Sequence, residues 1–440
     1  MFKSISKGKL VKLAAATAAL GSIAAIGFVG NSPAQADPIQ YTDPLFGFGS
    51  DTLQDVTNAF AGFSGGNFFT PLKSDNGKVI VSWDAFPPGT QPSTTPTCIV
   101  PQRGTGQIVR PNGSGAGRQA LSATVGGTNF PTSGTACGGP RPMSKIVDFA
   151  RSSGLSGTVQ TGGPIQFVPA FKDALTFAYI RPSGPPITSL ARDQLSAIHA
   201  ARPQVIDPDN DPVTPNSVAV IACGIQTASG TYQTWMGNLG LVTDGTGDAL
   251  GTGVCNNVGT GAAAGRVQEN NSPDLAAKAL LLGSMQADAC DLVIDNVLAS
   301  CANAQLIVGY SASQFIARGN SVAFPNSSLG TNGGLGLTNG VPAITGAPGS
   351  FAPNPTYYDD QTFGRTVYYV VAFEAVEPGG ALASPAIQDM FITTGPTDRA
   401  KFCTAAEPGQ TAGSTITKFG FLQIPTCGEI NNNLRRNFFT

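Results

Sequence analysis

The chain has 440 residues, and its 25 Lys and Arg nearly balance its 27 Asp and Glu, which gives a formal net charge of −2. This balance, without a visible basic patch, argues against nucleic acid or an anionic membrane surface as a partner. A single His and the absence of a Cys-x-x-Cys pair argue against a metal site. The length is ample for a large core in two lobes, and no motif indicates a cofactor.

The first 36 residues predict a signal peptide that is removed from the folded protein. Four lysines before residue 13 are followed by the apolar run 13–29 and by an A-x-A cleavage site at 34–36. The run is short for a membrane span, and no Cys stands near the cleavage site to carry a lipid anchor. Cleavage leaves 21 basic against 27 acidic residues, a charge of about −6. We expect a monomer that is secreted or extracytoplasmic, in the periplasm or cell envelope, without a membrane span.

Eight Cys lie in the exported part of the chain, where structural disulfides are expected. The sequence does not fix their connectivity. Pairing in sequence order gives Cys98–Cys137, Cys223–Cys255, Cys290–Cys301 and Cys403–Cys427.

Apolar, β-branched runs alternate with segments of helical periodicity, and this alternation predicts an α/β fold with mostly parallel strands. Residues 319–364 are rich in Gly, Asn, Ser and Pro and predict a long exposed excursion. The predicted strands are 78–83, 146–153, 165–171, 174–180, 217–221, 306–310 and 365–373, and the predicted helices are 53–60, 188–198, 232–239, 272–284, 313–318 and one that begins at Ser384.

Three stretches place hydroxyl and glycine residues where a helix begins. The free backbone N–H groups and the positive end of the helix dipole can hold an oxyanion there, together with the hydroxyls. The competing interpretation is a plain helix cap without a ligand, as Ser50 or Asp51 could provide. The three stretches are Ser50-Asp51-Thr52, Ser114-Gly115 within the turn 113–117, and Ser229-Gly230-Thr231.

A fourth stretch, Arg151-Ser152-Ser153, ends the predicted strand 146–153. An arginine beside two hydroxyls suits a planar or tetrahedral oxyanion, although an ordinary surface arginine is the competing interpretation. The turn 113–117 lacks the G-K-[ST] ending of a Walker A loop and is not a G-x-G-x-x-G fingerprint. Neither nucleotide-binding motif is therefore present.

Eight short motifs occur in this order: GSDT (49–52), GSGAG (113–117), FARSS (149–153), DALTFA (173–178), LSAIHA (195–200), SGT (229–231), IVGY (307–310) and RTVY (365–368). This order resembles the phosphate-binding proteins of bacterial ABC transporters, with the type II periplasmic-binding-protein fold, and especially divergent actinobacterial substrate-binding proteins. The resemblance implies two α/β lobes joined by hinge strands, with a ligand cleft between them and no catalysis. We then expect lobe 1 to comprise 37–178 and 366–440, and lobe 2 to comprise 179–365 with the excursion 319–364.

The resemblance also implies a small anionic ligand and an ABC transporter permease as partners. Two positions depart from the family, because its arginine four residues before the SGT serine is Ile225 here and the aspartate that ends its second-strand motif is Ser153. Arg151 would replace the lost charge if its side chain points into the cleft. Residues that match family ligand positions are Ser50, Thr52, Ser114, Gly115, Ser229, Gly230 and Thr231.

Two other functions remain open. The first is a secreted adhesion or interaction protein on the same scaffold, with the excursion 319–364 as its surface, and the missing anion-reading residues favour it. The second is a secreted serine hydrolase, because residues 62–66 match G-x-S-x-G around Ser64. That motif does not join a strand to a following helix, and only His199 could act as the base. We expect no enzyme.

Overall fold

The computed structural model describes a large part of the chain after residue 42. The signal-peptide prediction for residues 1–36 lies outside the described residues. The described residues are 43–85, 87, 96–102, 104–200, 204–206, 218–226, 229–241, 266–273, 275–277, 279, 292–294, 297–299, 304–323, 329 and 332–439.

The strands vary from 2 to 16 residues. In chain order they are β1 (Leu45–Gly49), β2 (Phe63–Ser64), β3 (Asn67–Phe68), β4 (Ile80–Ser82), β5 (Cys98–Ile99), β6 (Ile108–Val109), β7 (Asn129–Phe130), β8 (Arg141–Pro142), β9 (Phe149–Ser152), β10 (Ile165–Ile180), β11 (Ser189–Leu190), β12 (Gln204–Ile206), β13 (Val218–Ala222), β14 (Gly224–Ile225), β15 (Arg266–Val267), β16 (Leu292–Ile294), β17 (Val297–Ala299), β18 (Gln305–Ser311), β19 (Gly333–Leu335), β20 (Leu337–Thr338), β21 (Ile344–Thr345), β22 (Ala352–Pro353), β23 (Gly364–Ala372), β24 (Leu422–Gln423) and β25 (Arg435–Arg436).

The helices are short, apart from the second. They are α1 (Gln54–Phe60), α2 (Gly113–Gly126), α3 (Arg192–His199), α4 (Gly230–Asn238), α5 (Ala312–Gly319), α6 (Pro355–Tyr358), α7 (Phe373–Val376), α8 (Pro385–Phe391) and α9 (Ser414–Lys418), with 3-10 turns at Ala136–Gly138, Lys401–Thr404 and Asn432–Leu434. Residues 272–273, 275–277 and 279 are also helical, within the predicted helix 272–284.

One mixed sheet runs through the described part of the molecule, in the strand order β12-β13-β18-β10-β23-β9-β1-β4. The N-terminal part of β10 pairs with β23, and β9, β1 and β4 complete this first half. The C-terminal part of β10 pairs with β18, and β13 and β12 complete the second half. The fold is therefore α/β, as predicted.

The expectation of mostly parallel strands is wrong for the centre of the sheet. β1 runs parallel to β4 and β9, and β13 runs parallel to β18, whereas β10 is antiparallel to both of its long neighbours. The two short strands predicted at 165–180 are one element, β10. Pro169 lies within it where the register shifts, because proline has no N–H for the strand ladder.

Within the described ranges, three apolar clusters cover the sheet. Alternate residues of β23 enter different clusters on its first half, with Tyr368 and Val370 in one and Tyr369 and Val371 in the other. This alternation shows that both faces of the first half are covered. The third cluster packs on the second half and includes Trp235 of α4.

Several local expectations need correction. The N-cap of α1 is Leu53, without a side-chain hydrogen bond, so the capping role expected of Ser50 or Asp51 is wrong. α2 begins at Gly113, so the predicted turn 113–117 is its first turn. α3 begins at Arg192, because residues 189–190 pair with β20 as strand β11.

The predicted excursion 319–364 is less exposed than expected. β19 pairs with β10, and β20 pairs with β11. Ala343, Tyr357, Tyr358 and Phe363 are buried in the cluster on the second half of the sheet. Composition suggested a solvated loop, but the aromatic residues at its end anchor it to the core.

The structure contains the first and last of the predicted disulfides, Cys98–Cys137 and Cys403–Cys427. Cys223 is also disulfide-bonded. Its predicted partner Cys255, and the predicted pair of Cys290 and Cys301, lie outside the described residues. In the ranges given above, no helix has the length and hydropathy needed to cross a membrane.

Candidate anion-binding site

The predicted stretches of the first half of the sheet meet the start of α4, which packs on the second half. Thr52 follows β1, Ser114 lies in the first turn of α2, and Ser229 is the N-cap of α4. At Gly230, a Cβ atom would lie 2.6 Å from the Ser153 Oγ atom and 2.7 Å from the Ser114 Oγ atom. The segments approach so closely that only glycine fits, and they form one buried cluster.

Hydroxyl groups of this cluster hold a carboxylate of the chain itself. Glu269 is 1% exposed. Its Oε1 atom accepts from the Thr52 hydroxyl at 2.5 Å and from the Thr231 hydroxyl at 2.6 Å. Its Oε2 atom accepts from the Ser229 hydroxyl at 2.6 Å. We call Thr52, Ser229 and Thr231 the hydroxyl cradle.

Ser229 acts both as a helix cap and as a ligand of this carboxylate. Its Oγ atom accepts from the Tyr232 backbone N–H at 3.1 Å while it donates to Glu269. The positive end of α4 also favours a negative charge beside Gly230 and Thr231. The two interpretations drawn from the sequence, a cap and an anion cradle, are therefore compatible here, with a side chain as the anion.

The cation nearest to the cradle through hydrogen bonds is Arg365. Its Nε and Nη2 atoms donate to the Asp173 Oδ2 atom at 3.0 and 2.8 Å, and Nη2 also lies 3.2 Å from the Thr52 Oγ1 atom. Asp173 is fully buried and accepts further bonds from the Ser311 hydroxyl and the Ser313 N–H. Among the described residues, the Arg365 Nη1 atom is buried without a partner.

A second carboxyl group, Asp51, lies beside the cradle. Its Oδ2 atom accepts from the Gln268 amide at 2.6 Å and from the Gln226 amide at 3.4 Å. Burial, and then the charge of Glu269, raise the pKa of Asp51 well above its usual value. Burial and the neighbouring negative charge thus both favour the protonated form of Asp51.

Ser114 and Ser153 bond each other instead of Glu269. Their hydroxyl oxygens are 3.1 Å apart, and the Ser153 N–H donates to the Ser114 hydroxyl at 3.0 Å. The Ser152 hydroxyl accepts from Arg118 at 2.8 Å and donates to the Gly154 carbonyl at 2.7 Å. Ser114 and Ser153 thus form the wall that contacts Gly230, whereas Ser152 faces α2. Gly115 follows Ser114 in the first turn of α2 and is half-buried.

Arg151 does not supply the missing cation of the cradle. Its guanidinium donates to the carbonyl oxygens of Ser50, Gly49 and Trp83, at 3.0, 3.2 and 3.1 Å, and to the Ser82 hydroxyl. It is fully buried among the ends of the strands. Its four contacts fix these strand ends, and Ser50 belongs to this structural group because its own N–H donates to the Arg151 carbonyl.

The position of the family's arginine is apolar in this chain. Ile225 is 2% exposed and belongs to the core of the second half of the sheet. Its carbonyl accepts from the Arg266 guanidinium at 2.6 Å. The side chain at this position therefore contributes packing and no charge to the site.

The Ser64 and His199 pair lacks the contact that a serine hydrolase needs. The Ser64 hydroxyl donates to the Val322 carbonyl at 3.0 Å. The His199 Nε2 atom accepts from the Trp235 indole N–H at 3.1 Å, so its Nδ1 atom carries the proton and donates to the Leu195 carbonyl. Burial lowers the pKa of His199 to about 4. Both ring nitrogens are in use, and neither can serve Ser64.

The sequence pattern does not reveal the two charged residues of the site, Glu269 and Arg365. Glu269 stands in a polar run, 268–272, that reads as a surface turn, and its partner Thr52 is 217 residues away. Arg365 appeared as the start of a predicted strand and of the RTVY motif, without a role in the site. In the parts of the chain given above, no group of three His, Cys, Asp or Glu residues could hold a metal ion.

No family model and no curated protein matches the chain. Solved structures do match. A candidate phosphate ABC transporter substrate-binding protein from Clostridium perfringens, with bound phosphate, has 13% identity and a TM-score of 0.41 over 87% of this chain and 100% of that chain. A high-affinity periplasmic phosphate-binding protein, PfluDING, with bound phosphate, has 14% identity and a TM-score of 0.40 over 87% and 91% of the two chains. A phosphate-binding protein from Stenotrophomonas maltophilia has 10% identity and a TM-score of 0.39 over 90% and 100%. These neighbours are of the class that the sequence motifs resemble, and at these identities and TM-scores no ligand, partner or residue role follows from them.

Proposed function

We propose that this chain is an exported solute-binding protein that captures a small oxyanion, phosphate or another, in its hydroxyl cradle. Delivery to an ABC transporter permease belongs to the same proposal and comes from the family resemblance. The contacts of the described residues support the anion-binding part of the proposal, and the family resemblance supports the transport part.

The observation that carries the proposal is the convergence of three hydroxyls from separate segments on one carboxylate. Thr52 lies after β1, whereas Ser229 and Thr231 begin α4. All three side chains are fully buried. A buried negative charge is costly unless hydrogen bonds stabilise it, and this arrangement provides three charge-assisted bonds of 2.5 to 2.6 Å. The same donors can serve an oxyanion from solution.

The occupied state of the cradle also favours a second candidate, the secreted interaction protein. If the Glu269 carboxylate never leaves the hydroxyls, the cradle is a structural element of a scaffold that has lost transport-type ligand binding. The two candidates differ in one measurable property, which is stabilisation of the folded chain by small anions.

The test is thermal unfolding of the mature protein with phosphate, sulfate, acetate and other small carboxylates. A ligand that binds only the folded state at about a hundredfold excess over Kd adds about 2.7 kcal/mol. We expect at least one anion to raise Tm, and Ser229→Ala with Thr231→Ala to abolish that rise.

The matched control is Ser384→Ala. Ser384 is also a helix N-cap, and its hydroxyl accepts from the Ile387 N–H, but it lies at α8. This variant loses a cap and keeps the cradle, so its anion response should equal that of the wild type. If no anion stabilises either the wild type or Glu269→Ala, the solute-binding function is refuted and the interaction protein remains.

A further inference from the structure

We propose that Glu269 is an internal mimic of the ligand, that the ligand is a small carboxylate, and that this carboxylate binds by displacing the Glu269 side chain from the hydroxyl cradle. The proposal rests on the function proposed above, and it adds the ligand class and the group that competes with it.

The geometry of the cradle fits a carboxylate. One oxygen of Glu269 accepts two threonine hydroxyls, and the other accepts the serine hydroxyl. A planar group with two oxygens uses all three donors. An external carboxylate forms the same bonds when it replaces Glu269, so the exchange conserves hydrogen bonds at the cradle and returns the glutamate to water.

Glu269 has no counter-charge of its own within the part of the chain that the structure describes. In the described residues, no lysine or arginine lies within ion-pair distance of it, and the ion pair of Arg365 is with Asp173. A buried carboxylate held only by hydroxyls lacks the cation that usually compensates its loss of hydration. Displacement therefore costs Glu269 no ion pair.

A second group points to an incoming anion. Arg365 is 7% exposed, and its Nη1 atom has no hydrogen-bond partner in the described part of the chain. The Nη2 atom of the same guanidinium lies 3.2 Å from the Thr52 hydroxyl of the cradle. A buried guanidinium N–H without a partner is unfavourable. An external carboxylate can accept a hydrogen bond from it, whereas the tethered Glu269 side chain does not.

The segment that carries Glu269 is held largely by contacts that involve side chains, with little strand pairing. Arg266 and Val267 pair with β14 over two residues only. Gln268 donates to Asp51 at 2.6 Å and to Asn112 at 3.0 Å, and the Glu269 N–H donates to the Gln226 amide oxygen. These amide bonds join the segment 266–271 to both halves of the molecule. The segment must shift when its glutamate leaves.

The experiment compares acetate and inorganic phosphate as probes on the wild type, Glu269→Ala and the exposed control Glu429→Ala, by calorimetric titration and thermal unfolding. A tethered competitor has a high effective concentration, so its removal should strengthen binding. We expect acetate to bind Glu269→Ala at least tenfold more tightly than it binds the wild type or Glu429→Ala. Acetate should also restore part of the Tm that Glu269→Ala loses.

Glu269→Gln keeps the size of the side chain and guards against misfolding of the alanine variant. It should bind acetate with an affinity between those of the wild type and Glu269→Ala. Equal acetate affinities of the wild type and both variants overturn the competition, and preferential binding of phosphate by Glu269→Ala overturns the carboxylate class. Both results leave the solute-binding function intact. Absence of binding by any form to any anion refutes that function as well.

Discussion

Acid titration of His199 offers a clean test of the packing in the second half of the sheet. The ring is fully buried, with its Nε2 atom fixed by Trp235 and its Nδ1 atom by the Leu195 carbonyl. Burial lowers the pKa from 6.5 to about 4. The imidazolium form cannot accept the indole N–H, so protonation breaks that bond and places a charge in the core.

The sign of the stability change follows from the proton count. Between pH 6.5 and 4 the unfolded chain holds the proton and the folded chain does not, so acid favours unfolding. The stabilisation is present above pH 6.5 and is lost as the pH falls to about 4. The difference between the two pKa values corresponds to about 3 kcal/mol.

The assay is unambiguous because the chain contains one histidine. Proton NMR of the folded protein should show a single imidazole that titrates near pH 4. Denaturant unfolding should show that the free energy of unfolding falls as the pH is lowered. His199→Phe should be less stable at pH 7, because the Trp235 N–H loses its acceptor, and it should lose the pH dependence of this group. A folded-state midpoint near 6.5 would refute the assignment of a buried neutral ring.

Three further predictions concern charge and close packing. Burial raises the pKa of Asp148 to about 6, so the folded protein favours the protonated carboxyl. The stability that this proton contributes is fully present below about pH 4 and is lost as the pH rises through 6. In denaturant titrations, Asp148→Asn should therefore gain up to about 3 kcal/mol relative to the wild type between pH 4 and 7.5. Arg365→Met should lower the free energy of unfolding by about 3 to 5 kcal/mol, because it leaves Asp173 buried without its cation. In a double-mutant cycle, Asp173→Asn should recover part of that loss. Additive effects of the two substitutions would contradict the ion pair. Gly230→Ala should destabilise the fold by about 1 to 3 kcal/mol, because its methyl group would contact two serine hydroxyls. Gly237→Ala is the control, because Gly237 lies in the same helix with open space around it, and it should be neutral or stabilising. Equal effects of the two variants in thermal unfolding would contradict the close approach at Gly230.

The sequence could predict those features that depend on residues close together in the chain. The cap of α4 was found because Ser229 bonds the Tyr232 N–H three residues away, and an N-cap preference is a local property. The caps expected for α1 failed because the helix begins only at Gln54. The Ser50 hydroxyl accepts from the Thr52 N–H at 3.2 Å, before the helix, and the Ser50 carbonyl accepts from Arg151, which is 101 residues distant. The tertiary contact of the backbone thus fixes where Ser50 lies, and its local bond falls outside the helix.

The same reasoning explains the missing part of the site. The hydroxyls could be predicted because Ser, Thr and Gly beside a helix start form a recognisable pattern. Their occupant could not, because Glu269 reaches Thr52 across 217 residues and lies in a polar run that has no periodicity. Arg365 likewise belongs to a buried strand, where its apolar neighbours dominate the pattern.

The charge balance of the cradle links ligand entry to departure of Glu269. Arg365 is already paired with Asp173, and burial and the charge of Glu269 raise the pKa of Asp51 well above its usual value. An oxyanion that entered beside Glu269 would place a second unpaired negative charge in a dry site, which is strongly unfavourable. If it enters as Glu269 leaves, one negative charge replaces another and the net charge of the site does not change. The affinity for the ligand then depends on the difference in free energy between the ligand and the Glu269 side chain, each bound to the same three hydroxyls. Glu269 thereby sets the ligand concentration at which the protein binds.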